Sequence, residues 1–145
     1  MYRKILLAYD GSRTGRVALR QGAELAQLCG AEVILLAIVA PELGVALAEA
    51  VAPSDLAGRE RSETERILVE GEQRLRERGL GVRTLLRQGQ PAEEIGRVAR
   101  EQAVDLIVVG HREQSALARW WGGSTGASLL GRAPCSLLIA VAAPG

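Results

Sequence analysis

Apolar residues fall along this chain in two rhythms: short unbroken runs, and longer stretches where they recur every three or four positions. The first run, Lys4-Ile5-Leu6-Leu7-Ala8-Tyr9, reads as a short buried strand. It meets Asp10-Gly11-Ser12, a turn and helix-start signal. Beyond that turn the period lengthens. Val17, Ala18, Leu25 and Leu28 suit the inner face of a helix from Val17 to Leu28, with Gly30 as its stop. Glu32 to Val39 is the next strand, apolar on both faces and closed by Pro41. Strand, helix, strand in this order implies a right-handed crossover between parallel strands.

Pro41 to Ser62 carries no clear period. Leu43 to Val51 has helical character that Pro53-Ser54-Asp55 interrupts, and an irregular segment over the sheet edge is the expectation. Glu63 to Arg78 reads as a charged helix that turns Ile67, Leu68 and Leu75 inward and stops at Gly79. Val82 to Arg87 is a third strand, polar enough for an edge. Gly89-Gln90-Pro91-Ala92-Glu93-Glu94-Ile95 starts a helix that runs to about Gln102, with proline in its first turn and two glutamates at the positive end of its dipole. Leu106 to Val109 is a fourth strand and Ser136 to Val141 a fifth. A short helix from Ser124 to Leu130, broken at Ala133-Pro134, separates the two. The expected whole is one α/β domain over residues 1–145, a doubly wound sheet of five parallel strands with helices on both faces.

Composition narrows the chemistry. Hydrophobic residues make up 48% of the 145, yet aromatics are only 3% and Phe is absent, so the core has to be Leu, Val, Ile and Ala. A net charge of +1 gives no reason to expect nucleic acid or an anionic membrane as a partner. The longest apolar run, Val33 to Ala40, falls far short of a bilayer span. Ile5 to Tyr9 is too short for the apolar core of a secretory signal, so the expected setting is the cytoplasm. Cys29 and Cys135 show no metal-ligand spacing and read as free thiols.

Candidate chemistry gathers from Asp105 to Thr125. The fourth strand ends in Gly110, a polar segment follows, and Gly122-Gly123 leads through Ser124 and Thr125 into a helix. Both places can present backbone N–H groups to an anion, and ligands of open parallel sheets collect beyond the carboxyl ends of the strands. Pattern alone supports a phosphate-binding loop and an ordinary strand–loop–helix equally. His111 is the only histidine, which removes Ser-His-Asp and multi-histidine metal sites. No lysine sits in a glycine loop of the P-loop kind.

Five segments together carry a family likeness: Ile5 to Ser12, Gly89 to Ile95, Ala103 to Gly110, Gly123-Ser124, and Ala133 to Ile139. In this order and spacing, over nearly the whole chain, the sequence resembles a universal stress protein domain. The resemblance implies a flavodoxin-like (Rossmann-like) three-layer fold with a sheet of order 3-2-1-4-5, a homodimer, and in one branch ATP binding. That branch carries Gly, two residues, Gly, nine residues, then Gly and Ser or Thr. Gly110, His111 and Arg112 fit, Glu113 stands where the second glycine belongs, and Gly123 and Ser124 fit again.

By the same resemblance Ala8, Tyr9 and Asp10 would lie at the adenine, with Asp10 hydrogen-bonding it, and Ile38 would pack on the base. Val109 and Gly110 would line the ribose and α-phosphate, beside Arg112 and Glu113. Gly123, Ser124 and Thr125 would hold the outer phosphates. The implied ligand is ATP or another adenine nucleotide, with Mg as a candidate companion, and the implied partner is a second copy joined through strand 136–141. Each residue also has a plain structural role: Asp10 and Ser124 can be helix caps, Ile38 core, and Trp120-Trp121 packing. Three readings stay open. The first is a nucleotide-binding regulator without catalysis. The second is a universal stress protein that acts through dimer or partner contacts alone. The third, ranked last, is a slow ATPase.

Overall fold

A computed structural model describes residues 1–39, 56–111 and 129–142. Along them run β1 (Lys4–Ala8), α1 (Arg13–Cys29), β2 (Glu32–Val39), α2 (Leu56–Glu77), β3 (Val82–Gln88), α3 (Pro91–Glu101), β4 (Leu106–Gly110), α4 (Leu129–Arg132) and β5 (Ser136–Ala140). The strands form one parallel sheet ordered β3-β2-β1-β4-β5. This is the flavodoxin-like order that the resemblance implied. β1 is central, with Leu6 level with Ile34 on one side and Ile107 on the other.

Alternation along the strands divides the core. Ile5, Leu7 and Tyr9 point to the face covered by α1 and α2, where Ala18, Leu19, Ala23, Leu68 and Leu75 close over them. Leu6, Ile34, Leu36, Ile107 and Val109 point to the other face, against Ile95, Val98 and Ala99 of α3 and Leu129 of α4. The start of β4 is tied to the start of β1 by Asp105, whose two carboxylate oxygens accept from the backbone N–H groups of Arg3 (2.9 Å) and Lys4 (3.1 Å). Burial opposes the Asp105 charge, but those two bonds outweigh it and hold its pKa below the usual value.

Two sequence expectations are corrected. Leu28 faces water, 85% exposed, instead of the core. The buried stripe of α1 is Gly15, Ala18, Leu19, Gly22, Ala23 and Ala26, and Leu28 lies about 200° around the helix from Ala26. Small residues make that stripe because α1 rides close to the sheet, and small residues give a weak apolar signal. The second correction concerns α2, which begins at Leu56, not at Glu63. Its first turns carry almost no apolar period and are laced instead by ion pairs such as Arg61–Glu65 at 3.3 Å. The helical character expected over Leu43 to Val51 lies outside the described residues, as does Ser124 to Ser128 of the short helix expected before β5.

The polar strand Val82 to Gln88 does lie at an edge, beside β2. α3 starts as its sequence demands: Pro91 is in its first turn, and the Gln90 side chain accepts from the Glu93 N–H at 2.8 Å.

Candidate functional site

In this sheet the chain moves outward from β1 to β2 and β3, then returns to lay β4 on the other side of β1. The connections leaving β1 and β4 therefore depart in opposite directions, which makes their carboxyl ends the switch point where the ligand crevice of such sheets is found. Ala8, Tyr9, Asp10, Val109 and Gly110 are the residues at that place.

The β1 side is built by one hydrogen-bond chain. Tyr9 N–H donates to the Leu36 carbonyl at 2.9 Å and carries the pairing with β2 one residue past the strand. Gly11 then takes a positive φ of 77°, which turns the backbone sharply. Asp10 Oδ1 accepts from the Ser12 N–H at 3.0 Å and from the Ser12 hydroxyl. Ser12 Oγ in turn accepts from the Gly15 N–H at 3.0 Å and is the N-cap of α1. The Thr14 hydroxyl lies 3.4 Å from Ser12 Oγ. Asp10 is thus not itself the cap. It orients the capping serine, and its carboxylate stays on the exposed surface of the crevice.

The β4 side comes up against this turn. A Cβ on Gly110 would lie 2.5 Å from the Thr14 carbonyl oxygen and 2.9 Å from the Gly15 nitrogen. The end of β4 and the first turn of α1 are therefore in backbone contact, and only glycine fits between them. His111 N–H continues the ladder outward to the Ala140 carbonyl at 2.8 Å.

Ala8, Ile38 and Val109 share the α3 face of the sheet. Ala8 is level with Leu36 in the register, so Ile38, two residues on, is level with Asp10. Ala8 and Ile38 are half-buried and Val109 fully so, which leaves a narrow apolar shelf next to a carboxylate.

Tyr9 behaves differently. Its side chain, 3% exposed, passes to the opposite face between α1 and α2. Gly71 of α2 makes room for the ring, since a Cβ there would lie 2.8 Å from Tyr9 Cδ2. The phenol donates to Glu70 Oε1 at 3.2 Å, and the same oxygen lies 2.8 Å from Arg74 and 3.6 Å from Arg16. Burial raises the Tyr9 pKa, with the negative charge of Glu70 adding to it. Burial also opposes the Glu70 charge, but Arg74, the Tyr9 hydroxyl and Arg16 outweigh it and hold that carboxyl below its usual range.

The structure thus brings Ala8, Asp10, Ile38, Val109 and Gly110 to one end of the sheet and leaves Tyr9 there by its backbone alone. Arg112, Glu113, Gly123, Ser124 and Thr125 lie outside the described residues, as do Trp120 and Trp121. Ser12 and Thr14 belong to the crevice and were not singled out from the sequence. The Ser12–Gly15 spacing of a capping serine was the available signal.

Comparison with known proteins agrees with this architecture. The sequence profile of the universal stress protein family matches residues 1–140. The chain is 32% identical over 142 residues to the universal stress protein in the QAH/OAS sulfhydrylase 3' region of Thermus aquaticus, covering 96% of this chain and 98% of that protein. It is 30% identical over 146 residues to universal stress protein YxiE of Bacillus subtilis, covering 96% and 99%. Among solved structures, protein MJ0577 superposes with a TM-score of 0.79 at 26% identity, covering 100% of this chain and 99% of that one. Two further structures share the fold at lower identity. A universal stress protein in complex with cAMP has a TM-score of 0.70 at 23% identity, over 95% of this chain and 96% of that one. One from Archaeoglobus fulgidus in complex with dAMP has a TM-score of 0.67 at 19% identity, over 96% and 98%. The fold, the full-length match to the family profile and the relatives aligned from end to end lead to one conclusion: the chain belongs to the universal stress protein family.

Proposed function

We propose that this protein binds an adenine nucleotide at the crevice between β1 and β4 and acts as a regulator of the stress response. The observation that carries the reading is the backbone contact between Gly110 and Thr14, which sets the Asp10–Ser12 turn beside the end of β4. A purine ring would lie on the shelf of Ala8 and Ile38, with Asp10 at its polar edge. Val109 and Gly110 would line the ribose and first phosphate. Two family members solved with cAMP and dAMP support adenine as the base.

Gly123, Ser124 and Thr125 would hold any further phosphates, with Mg as a companion ion, and Arg112 would offset their charge. Glu113 in place of the motif glycine works against a triphosphate. It adds negative charge, and positive φ costs a non-glycine residue about 1–2 kcal/mol. The protein is read as a binder and not an enzyme, on the sequence ground that no lysine sits in a glycine loop of the P-loop kind.

A second copy would join through β5. Ile139 and Val141 are apolar and exposed along this edge strand, and an open apolar edge favours pairing with another chain. The runner-up reading keeps this dimer and drops the nucleotide, and Glu113 is the residue that favours it.

Native mass spectrometry of protein purified without added nucleotide, followed by denaturation, separates the two. An adenine nucleotide released in stoichiometric amount is the expected result. Ligand-free protein that also stays ligand-free after incubation with AMP and ATP supports the runner-up.

A further inference from the structure

On the face of the molecule opposite the Ala8–Ile38 shelf, α1 and α2 flank a groove lined by five arginines. Arg13, Arg16 and Arg20 come from α1, Arg74 from α2 and Arg78 from the turn just past it, and the carboxylate paired with Arg16 and Arg74 is Glu70. That carboxylate is already committed: one of its oxygens serves Arg16, Arg74 and the Tyr9 hydroxyl together. Arg13, Arg20 and Arg78 have no ion pair among the described residues. Five arginines and no carboxylate line the groove, in a chain whose net charge is only +1. The concentration is local and does not follow from a basic composition.

Part of this arrangement works against the fold. Arg16 and Arg20 are like charges four residues apart on α1, a spacing that destabilises a helix. Arg13 stands in the first turn of α1, where the dipole disfavours a cation. A multivalent anion in the groove would relieve both conflicts.

The lining also limits the kind of anion. Leu19 and Leu75, which form the floor, are 4% and 0% exposed, so Val17 is the one apolar side chain open to a ligand. Guanidinium groups match phosphate oxygens in a planar, two-bond geometry. We propose that the α1–α2 groove is a second anion site, separate from the β1–β4 crevice, for a compact ligand carrying several phosphoryl groups.

The test is a titration with inorganic tripolyphosphate, followed by calorimetry and by the arginine Nε–Hε signals in ¹⁵N-edited NMR. The Arg20 and Arg78 signals should shift with the same midpoint as the heat. Arg20→Gln with Arg78→Gln should lose about tenfold or more in affinity, while the charge-matched pair Arg3→Gln with Arg59→Gln stays within about twofold. Circular dichroism should show the groove variant folded like the parent. Arg20 and Arg78 signals that stay still while the anion binds elsewhere would overturn the proposal, as would equal losses in the two variant pairs. A poly-glutamate peptide binding as tightly as tripolyphosphate would overturn it too, and would mark the groove as a surface for acidic protein segments.

Discussion

Gly110, the last residue of β4, touches the backbone of Thr14 in the first turn of α1, with 2.5 Å between the carbonyl oxygen and the place a Cβ would take. The contact is between main chains, so neither side can yield by a rotamer change. It couples the position of the Asp10–Ser12 turn to the end of β4. Gly110→Ala should therefore cost about 1–3 kcal/mol in urea denaturation and displace the first turn of α1. Adenine-nucleotide affinity should fall as well in the folded variant. A variant that keeps both stability and affinity would show that the two elements can separate freely.

The Tyr9–Glu70 bond links the residue before that turn to the middle of α2. Tyr9→Phe removes the phenol and leaves Glu70 its arginines, so a loss of about 1 kcal/mol is expected at neutral pH. The pH dependence has a definite sign. The folded-state pKa of Glu70 is lowered, so its contribution is present above the unfolded carboxylate value and is lost as pH falls through the folded one. The stability of the parent should drop more steeply on acidification than that of Glu70→Gln. Tyr9 is shifted the other way, so its contribution holds below the ordinary tyrosine pKa and is lost as pH rises through the folded one. Denaturant midpoints from acid to alkaline pH on the three proteins check both slopes. Parallel curves for parent and Glu70→Gln would remove Glu70 from the account.

The open edge at β5 gives a third expectation. Ile139→Lys replaces an exposed apolar side chain of this edge strand with a charge, close to the exposed Val141 just past the strand. Charged residues on an edge strand oppose pairing with another chain. Light scattering after size exclusion should report a dimer for the parent and a monomer for the variant, with the fold kept by circular dichroism. A dimeric variant would place the interface elsewhere.

Four of the five strands were legible as apolar runs ended by a glycine, a proline or a polar turn, and β3 as a shorter, more polar stretch closed by Gly89. α1 was legible as a helix but not in its facing. Its inner stripe of Gly15, Ala18, Gly22 and Ala23 is scarcely apolar, and Leu28, the more hydrophobic residue, faces solvent. The start of α2 was hidden because charge pairs, not burial, occupy its first turns. At the crevice, Gly110 stood out by pattern as the end of β4, whereas the roles of Asp10 and Ile38 could be assigned only through the family likeness. Nothing local says that Gly110 abuts Thr14 across 96 positions, 110 less 14, or that Tyr9 reaches Glu70 across 61. Long-range pairs of this kind are set by the sheet order.

Glu113 provides a prediction on phosphate number. If its carboxylate opposes the outer phosphates of a nucleotide held by Gly123 and Ser124, Glu113→Gly should tighten ATP more than AMP. A difference of several-fold between the two gains is the size expected from removing a like charge near the outer phosphates. Competition between the two nucleotides on both proteins measures it, and equal gains would remove Glu113 from the outer-phosphate site.

The central claim, adenine at the β1–β4 crevice with Asp10 at its edge, is tested most directly by calorimetric titration of AMP and ATP into the parent and Asp10→Ala. The parent should bind one nucleotide per chain. Asp10→Ala should keep the fold by circular dichroism, lose some stability because Ser12 is no longer oriented, and bind about 5- to 150-fold more weakly, the equivalent of about 1–3 kcal/mol. No saturable heat from either nucleotide with the parent, or equal affinity in the two proteins, would contradict it.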